Sequence, residues 1–289
     1  MTTAFVLSGG ASLGAVQVGM LQALAENGIR PDLLVGTSVG AINAAYVAGH
    51  PEPEALGELE ELWASMRFGR VFPVNPATAM RGLLARRNHL INPAGLEGLL
   101  ARHLPYARLE DAKIPVHVVV TELLTGRERL LSTGPAVPAL LASAAIPAIY
   151  PPVSIDGEVY VDGGVAANAP ISHAVELGAD TVYVLPTGYS CALPRPPTGA
   201  IGMALHALTV MLHRQLIYDL ERNQDRALIH VMPPLCPLAV FPGDFRHSRE
   251  LVQRGRQAAR DRLDERTTGA DEAALLAFHG RHPRGPRKR

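Results

Sequence analysis

The feature that most constrains this chain occurs twice near its start: a short apolar run, a glycine-bearing loop, then a helical repeat. Residues 4–7 read as a buried strand. Residues 15–27 read as a helix, with Val16, Val18, Met20, Leu21 and Leu24 at its apolar positions and Gly28 as its stop. Residues 32–35 repeat the strand and 41–49 the helix. The pattern continues with strands at 116–121, 128–132, 159–161 and 181–185, and helices at 137–145 and 171–177. Parallel strands need crossover connections, and helices supply them, so a chain that alternates in this way folds as α/β around a mainly parallel sheet.

The remaining segments fit around that sheet. Residues 54–66 form an amphipathic helix with Leu56, Leu59, Leu62 and Trp63 on one side. Residues 67–92, rich in Arg, Pro and Gly, read as an irregular surface excursion. A long helix over 200–222 is apolar nearly all round, and we expect it to be buried against the sheet rather than to serve as a lid or interfacial helix. A strand at 228–232 and a polar helix at 249–263 follow. The expected organisation is one domain over 1–265, with a motif-bearing core at 4–190 and a helical C-terminal part at 199–265. The polar, basic segment 266–289 is expected to be a disordered, solvated tail.

Composition excludes several classes. The chain of 289 residues carries 27 basic and 27 acidic residues, so it has no global attraction for nucleic acid. Cys191 and Cys236 are too few for a disulfide framework. The N-terminus lacks the charged start of a secretory signal, and no apolar run is long enough to span a bilayer, so we expect a cytoplasmic protein, with peripheral membrane contact left open.

Each loop of the repeated unit carries groups suited to chemistry. In Gly36-Thr37-Ser38-Val39-Gly40 the serine stands between strand and helix, and the glycines permit a tight turn. Such a turn pushes the hydroxyl out of the sheet, beside the positive end of the following helix dipole. Ser8-Gly9-Gly10-Ala11-Ser12-Leu13-Gly14 holds the same position after the first strand. Its clustered amides make an anion cradle for a phosphate or a tetrahedral oxyanion. Ala11 breaks the dinucleotide fingerprint, and Leu13-Gly14-Ala15 replaces the Lys-Ser/Thr ending of a phosphate-binding P-loop. Asp162-Gly163-Gly164 closes a later strand. Taken alone it is a common turn, but beside the other two loops it puts a carboxylate where open α/β sheets bind ligands.

A Ser-His-Asp triad can be written, because His173, His206, His213, His230, His247, His279 and His282 follow Asp162. The α/β-hydrolase fold places several strands before its serine, however, and only one precedes residue 32 here. None of these histidines occupies a glycine-rich loop directly after a convincing strand. A dyad of Ser38 and Asp162 is the better expectation. No metal-ligand constellation is visible, so neither a metal nor another cofactor is expected.

The blocks from Leu7 to Gly14, from Gly36 to Gly40 and from Asp162 to Gly164 resemble the signature blocks of the patatin-like phospholipases. Ser143-Ala144-Ala145-Ile146-Pro147 through Asn168-Ala169-Pro170 resembles that family's run into its catalytic aspartate. The resemblance spans residues 4–190 and implies a three-layer α/β/α fold. It also implies hydrolysis of fatty-acyl esters, in phospholipid or neutral lipid, through an acyl-enzyme. Ser38 would be the nucleophile and Asp162 its base. Gly9, Gly10, Ala11 and Ser12 would form the oxyanion hole, while Gly14, Gly36, Gly40, Gly163 and Gly164 shape the loops. The chain departs from the family pattern at Ala11, where a third glycine is usual, and at Leu13, where Lys or Arg is frequent. Those departures motivate a rival expectation: a non-catalytic lipid-binding or scaffolding protein on a decayed site.

Overall fold

A computed structural model describes residues 1–72, 88–188, 196–235 and 240–264. Cys191, Cys236 and the expected tail at 266–289 lie outside the described residues, as does much of the excursion at 67–92.

The middle layer is an eight-stranded sheet. Its strands are β1 (Thr3–Leu7), β2 (Leu33–Thr37), β3 (Val116–Glu122), β4 (Glu128–Leu131), β5 (Val153–Ile155), β6 (Glu158–Asp162), β7 (Thr181–Leu185) and β8 (Leu228–Val231). The hydrogen-bonded path runs β5-β6-β3-β2-β1-β7-β8, with β4 also on β3. Every pairing from β3 through β2, β1 and β7 to β8 is parallel. β4, β5 and β6 join as antiparallel additions.

Around the sheet stand α1 (Ala15–Glu26), α2 (Val39–Gly49), α3 (Ala55–Ser65), α4 (Phe68–Val71), α5 (Ala94–His103), α6 (Ala136–Ser143), α7 (Ile171–Glu176), α8 (Ala200–Asn223) and α9 (Ser248–Asp264). Side chains alternate across a strand, and the core divides accordingly. Phe5, Leu7, Leu34, Val118 and Val120 face a cluster with α1, α2, α3, α5 and α6. Ala4, Val6, Val35 and Val119 face the other way, against Ile171 and Ala174 of α7 and Leu216 and Leu220 of α8. The result is the three-layer α/β/α arrangement.

Two helices differ from expectation. α9, read as polar, buries Leu251, Val252, Gly255 and Ala259 against α1. The crossing is close: a Cβ on Gly255 would lie 2.4 Å from the Val16 carbonyl oxygen, and one on Gly19 would lie 2.0 Å from that of Val252. α8 is buried only in its second half. From Ala200 to Leu212 no described side chain is buried, and Met203, Leu208 and Met211 are exposed. The all-round apolar pattern therefore reflects a stretch that leaves the sheet, not one covered by it. No helix among the described residues is long and apolar enough to cross a membrane.

Candidate active site

The site is built on one edge of β3. Val118 and Val119 pair with β2 and β4 at once, while Val120 and Thr121 pair with β4 and β6. A strand has two edges, so β4 takes one, and β2 and β6 share the other end to end. β2 stops at Thr37, opposite Val119. β6, running the other way, stops at Asp162, opposite Val120. Ser38 and Asp162 therefore leave the sheet from adjacent rungs, and both are buried. Ser38 Oγ donates a hydrogen bond to Asp162 Oδ2 at 2.7 Å. The Gly164 amide donates to Oδ1 at 2.8 Å, so both carboxylate oxygens have partners and neither partner is a histidine. Burial pushes the Asp162 carboxyl up to about 6, against the opposing pull of the Ser38 and Gly164 hydrogen bonds.

The tight turn does not depend on its glycines in the expected way. The left-handed residue is Ser38 itself, with φ 55° and ψ −126°, at the head of α2. A non-glycine residue held there stores about 1–3 kcal/mol of strain. Ser143 offsets it: its Oγ accepts from the Ser38 amide at 2.8 Å and donates to the Val119 carbonyl at 2.7 Å. The glycines serve close approach instead. A Cβ on Gly40 would lie 2.2 Å from the Leu7 carbonyl oxygen, and one on Gly163 would lie 2.3 Å from that of Val119. Gly36, Gly14 and Gly164 are packed against Ala41, Val39 and Asn168 respectively.

The cradle is narrower than the sequence suggests. The Gly9 amide donates to the Asn168 carbonyl at 3.2 Å, and the Ser12 amide to that of Pro242 at 2.8 Å. Both are spent on fixing the loop to its neighbours. The amides of Gly10 and Ala11, between them, have no partner among the described residues. A buried polar network holds this loop. Thr187 Oγ1 donates to the Gly9 carbonyl at 2.6 Å. Gln17 Nε2 donates to the carbonyls of Ser8 and Leu185 at 2.8 and 2.9 Å. Asn43 Nδ2 donates to the Gly14 carbonyl and to Gln17 Oε1, and its Oδ1 accepts from Trp63 Nε1 at 3.0 Å. Every polar atom of the Gln17 and Asn43 side chains is thereby used, as burial requires.

The sequence profile of the patatin-like phospholipase family matches residues 5–175. The chain belongs to this family. Among curated relatives, an uncharacterized NTE family protein of Mycobacterium tuberculosis is 29% identical over 195 residues, covering 66% of this chain and 50% of the relative. Patatin-like phospholipase domain-containing protein 7 of Rattus norvegicus is 28% identical over 191 residues, 64% of this chain and 13% of the relative. Lysophospholipase NTE1 of Pyricularia oryzae is 25% identical over 183 residues, 63% and 12% respectively. The chain thus spans half or less of these relatives' length. Among solved structures, VipD from Legionella pneumophila is 16% identical at a TM-score of 0.47, covering 91% of this chain and 66% of that one. Human GIVD cytosolic phospholipase A2 is 13% identical at a TM-score of 0.47, covering 92% and 60%.

At both departures from the patatin-like pattern the structure shows what replaces the usual residue. Ala11 takes φ 50°, a left-handed conformation that costs an alanine about 1 kcal/mol. Leu13 packs against the core. Beside Ser38 and Ala11 opens a pocket walled by Ile42, Trp63, Phe72, Leu99, Phe245 and other apolar side chains. Gln17, Asn43 and Thr187 hold the patatin-like loops without having been named from the sequence, while Ser143 and Trp63 appeared there only in a family-like run and on a helix face. Asn43 carried a signal, as the lone amide within the apolar run of α2.

Proposed function

We propose that the chain hydrolyses fatty-acyl esters of lipids, phospholipid or neutral lipid, with Ser38 as nucleophile and Asp162 as its base. The hydrogen bond of 2.7 Å between them, beside an apolar pocket, carries the reading. Ser38 Oγ attacks the ester carbonyl carbon while its proton passes to Asp162. The carbonyl oxygen becomes an oxyanion and accepts from the amides of Gly10 and Ala11. One such donor is worth roughly 3–4 kcal/mol of transition-state stabilisation.

The carbon–oxygen bond to the alcohol then breaks, and the alcohol departs with the proton held by Asp162. The acyl group remains on Ser38, its chain in the pocket. A water molecule gives a proton to Asp162, attacks the acyl carbon and releases the fatty acid as Ser38 recovers its proton. A carboxyl raised to about 6 is a stronger base than an ordinary aspartate, which suits this task. The lipid class is also supported by the names of relatives, a lysophospholipase and a patatin-like phospholipase domain protein.

The test is covalent labelling with a fluorophosphonate, read by mass spectrometry on the parent protein and on Ser38→Ala. Labelling at Ser38 that vanishes in the variant is expected. A folded parent that takes no label would instead support a lipid-binding protein without catalysis.

A further inference from the structure

Bulky apolar side chains are exposed unevenly over the described residues. Ser38 lies at the end of the sheet where the parallel strands finish. Leu123 and Leu124 continue directly from β3 at that end, and Val165 follows Asp162 by three positions. Phe241 adjoins Pro242, whose carbonyl holds the Ser12 amide. Away from that end, Met1, Leu177 and Leu228 are exposed beside the starts of β1, β7 and β8, and Tyr218 on the second half of α8.

The first half of α8 belongs to the site end. Gln215 Nε2 reaches the Val165 carbonyl at 3.3 Å, so the residues before it stand at and beyond that level. Burial begins at His213 and continues through Leu216, Leu220 and Asn223. Met203, Leu208 and Met211 are 50%, 48% and 62% exposed. The stretch from Ala200 to Leu212 is about 20 Å of helix at 1.5 Å per residue, and it contains no Asp, Glu, Lys or Arg. An uncharged helix open on several sides is unfavourable in water, and an apolar patch of this kind marks an interaction surface.

We propose that this half-helix, together with Leu123 and Leu124, docks the protein on a lipid interface without net charge, such as a zwitterionic bilayer. The absence of charged residues along it leaves apolar insertion as the source of attraction. Its place at the end of the sheet where Ser38 stands favours lipid, because the ester substrate of the proposed reaction arrives at that end. A lipid surface there would present ester groups to the site. The inference rests on the proposed lipid hydrolysis for its purpose, while docking itself needs no turnover.

The experiment measures co-sedimentation of the Ser38→Ala protein with phosphatidylcholine vesicles at low and high salt. It is repeated after adding Met203→Ser, Leu208→Ser and Met211→Ser together. Binding that resists salt and weakens by about tenfold or more in the combined variant is expected. With Ser38 intact, the combined variant should hydrolyse a soluble short-chain ester at the parent rate and unfold at the parent temperature. Docking is overturned by absent or unchanged vesicle binding, or by binding that needs anionic lipid and disappears in high salt. A dimer of the parent that the combined variant dissolves would also overturn it. A parent protein inert toward every ester would refute the proposed hydrolysis and leave the vesicle result to decide docking.

Discussion

Ser143 spends its hydroxyl on two backbone groups that meet at the reactive turn, the Ser38 amide and the Val119 carbonyl. Replacing it by alanine leaves both buried groups unpaired, at a cost of about 1–3 kcal/mol. Because the strained residue is the proposed nucleophile, Ser143→Ala should lower kcat well beyond any change in KM. Equal kcat in variant and parent would show that the turn holds without it. Asp162 poses the opposite trade. Its carboxyl is raised from 3.8 to about 6, so the folded protein holds that proton more tightly than the unfolded chain does. The resulting stability is fully present below the unfolded value and is lost as pH rises through about 6. The proposed base works only when ionised, so kcat/KM on a soluble ester should fall about tenfold per pH unit below that point. Asp162→Asn removes the buried charge and keeps both contacts once its Oδ1 accepts from the Gly164 amide and its Nδ2 donates to Ser38 Oγ, which reverses the second bond. It should abolish turnover yet stabilise the fold at alkaline pH by about 3 kcal/mol, the gain closing near pH 4. An Asp162→Asn variant that melts below the parent at alkaline pH would sink this account.

Among elements, the pairing of α1 with α9 shows how little room the packing leaves. Backbone meets backbone at Gly19 and Gly255, so Gly255→Ala must push the helices apart. A loss of about 1–3 kcal/mol in unfolding free energy is expected, as for other overpacked cores. A denaturation midpoint equal to the parent's would mean that the crossing has slack. Most strands and helices were legible within a few residues because their apolar periods are strong; the strand over Thr181–Leu185 was read to its ends. β5, only Val153–Ile155, is too short to show a period and exists through its pairing with β6. α9 hid its small buried stripe of Gly255 and Ala259 among arginines. α8 misled for a different reason: periodicity reports which side chains are apolar but not where the sheet beside them ends.

For the whole molecule, the alternation of strands and helices was enough to propose an α/β fold on a mainly parallel sheet, the loops at 36–40 and 162–164 to propose the pair Ser38 and Asp162, and the family resemblance to propose three layers. What the linear pattern did not carry is pairing over long separations. Nothing local says that Asn168 and Pro242 would occupy the amides of Gly9 and Ser12, or that β2 and β6 would share an edge. These contacts join segments more than a hundred residues apart, and only the packed sheet decides them.

That shared edge has a further consequence. Ser38 and Asp162 are spaced by neighbouring rungs of a single central strand, much as two teeth are spaced by the gear that carries them. Helices at the rim can shift without changing that interval, so the pair stands ready in the resting molecule. For the proposed dyad, restraint is then a matter of where the protein is and what can reach the site, not of switching it on.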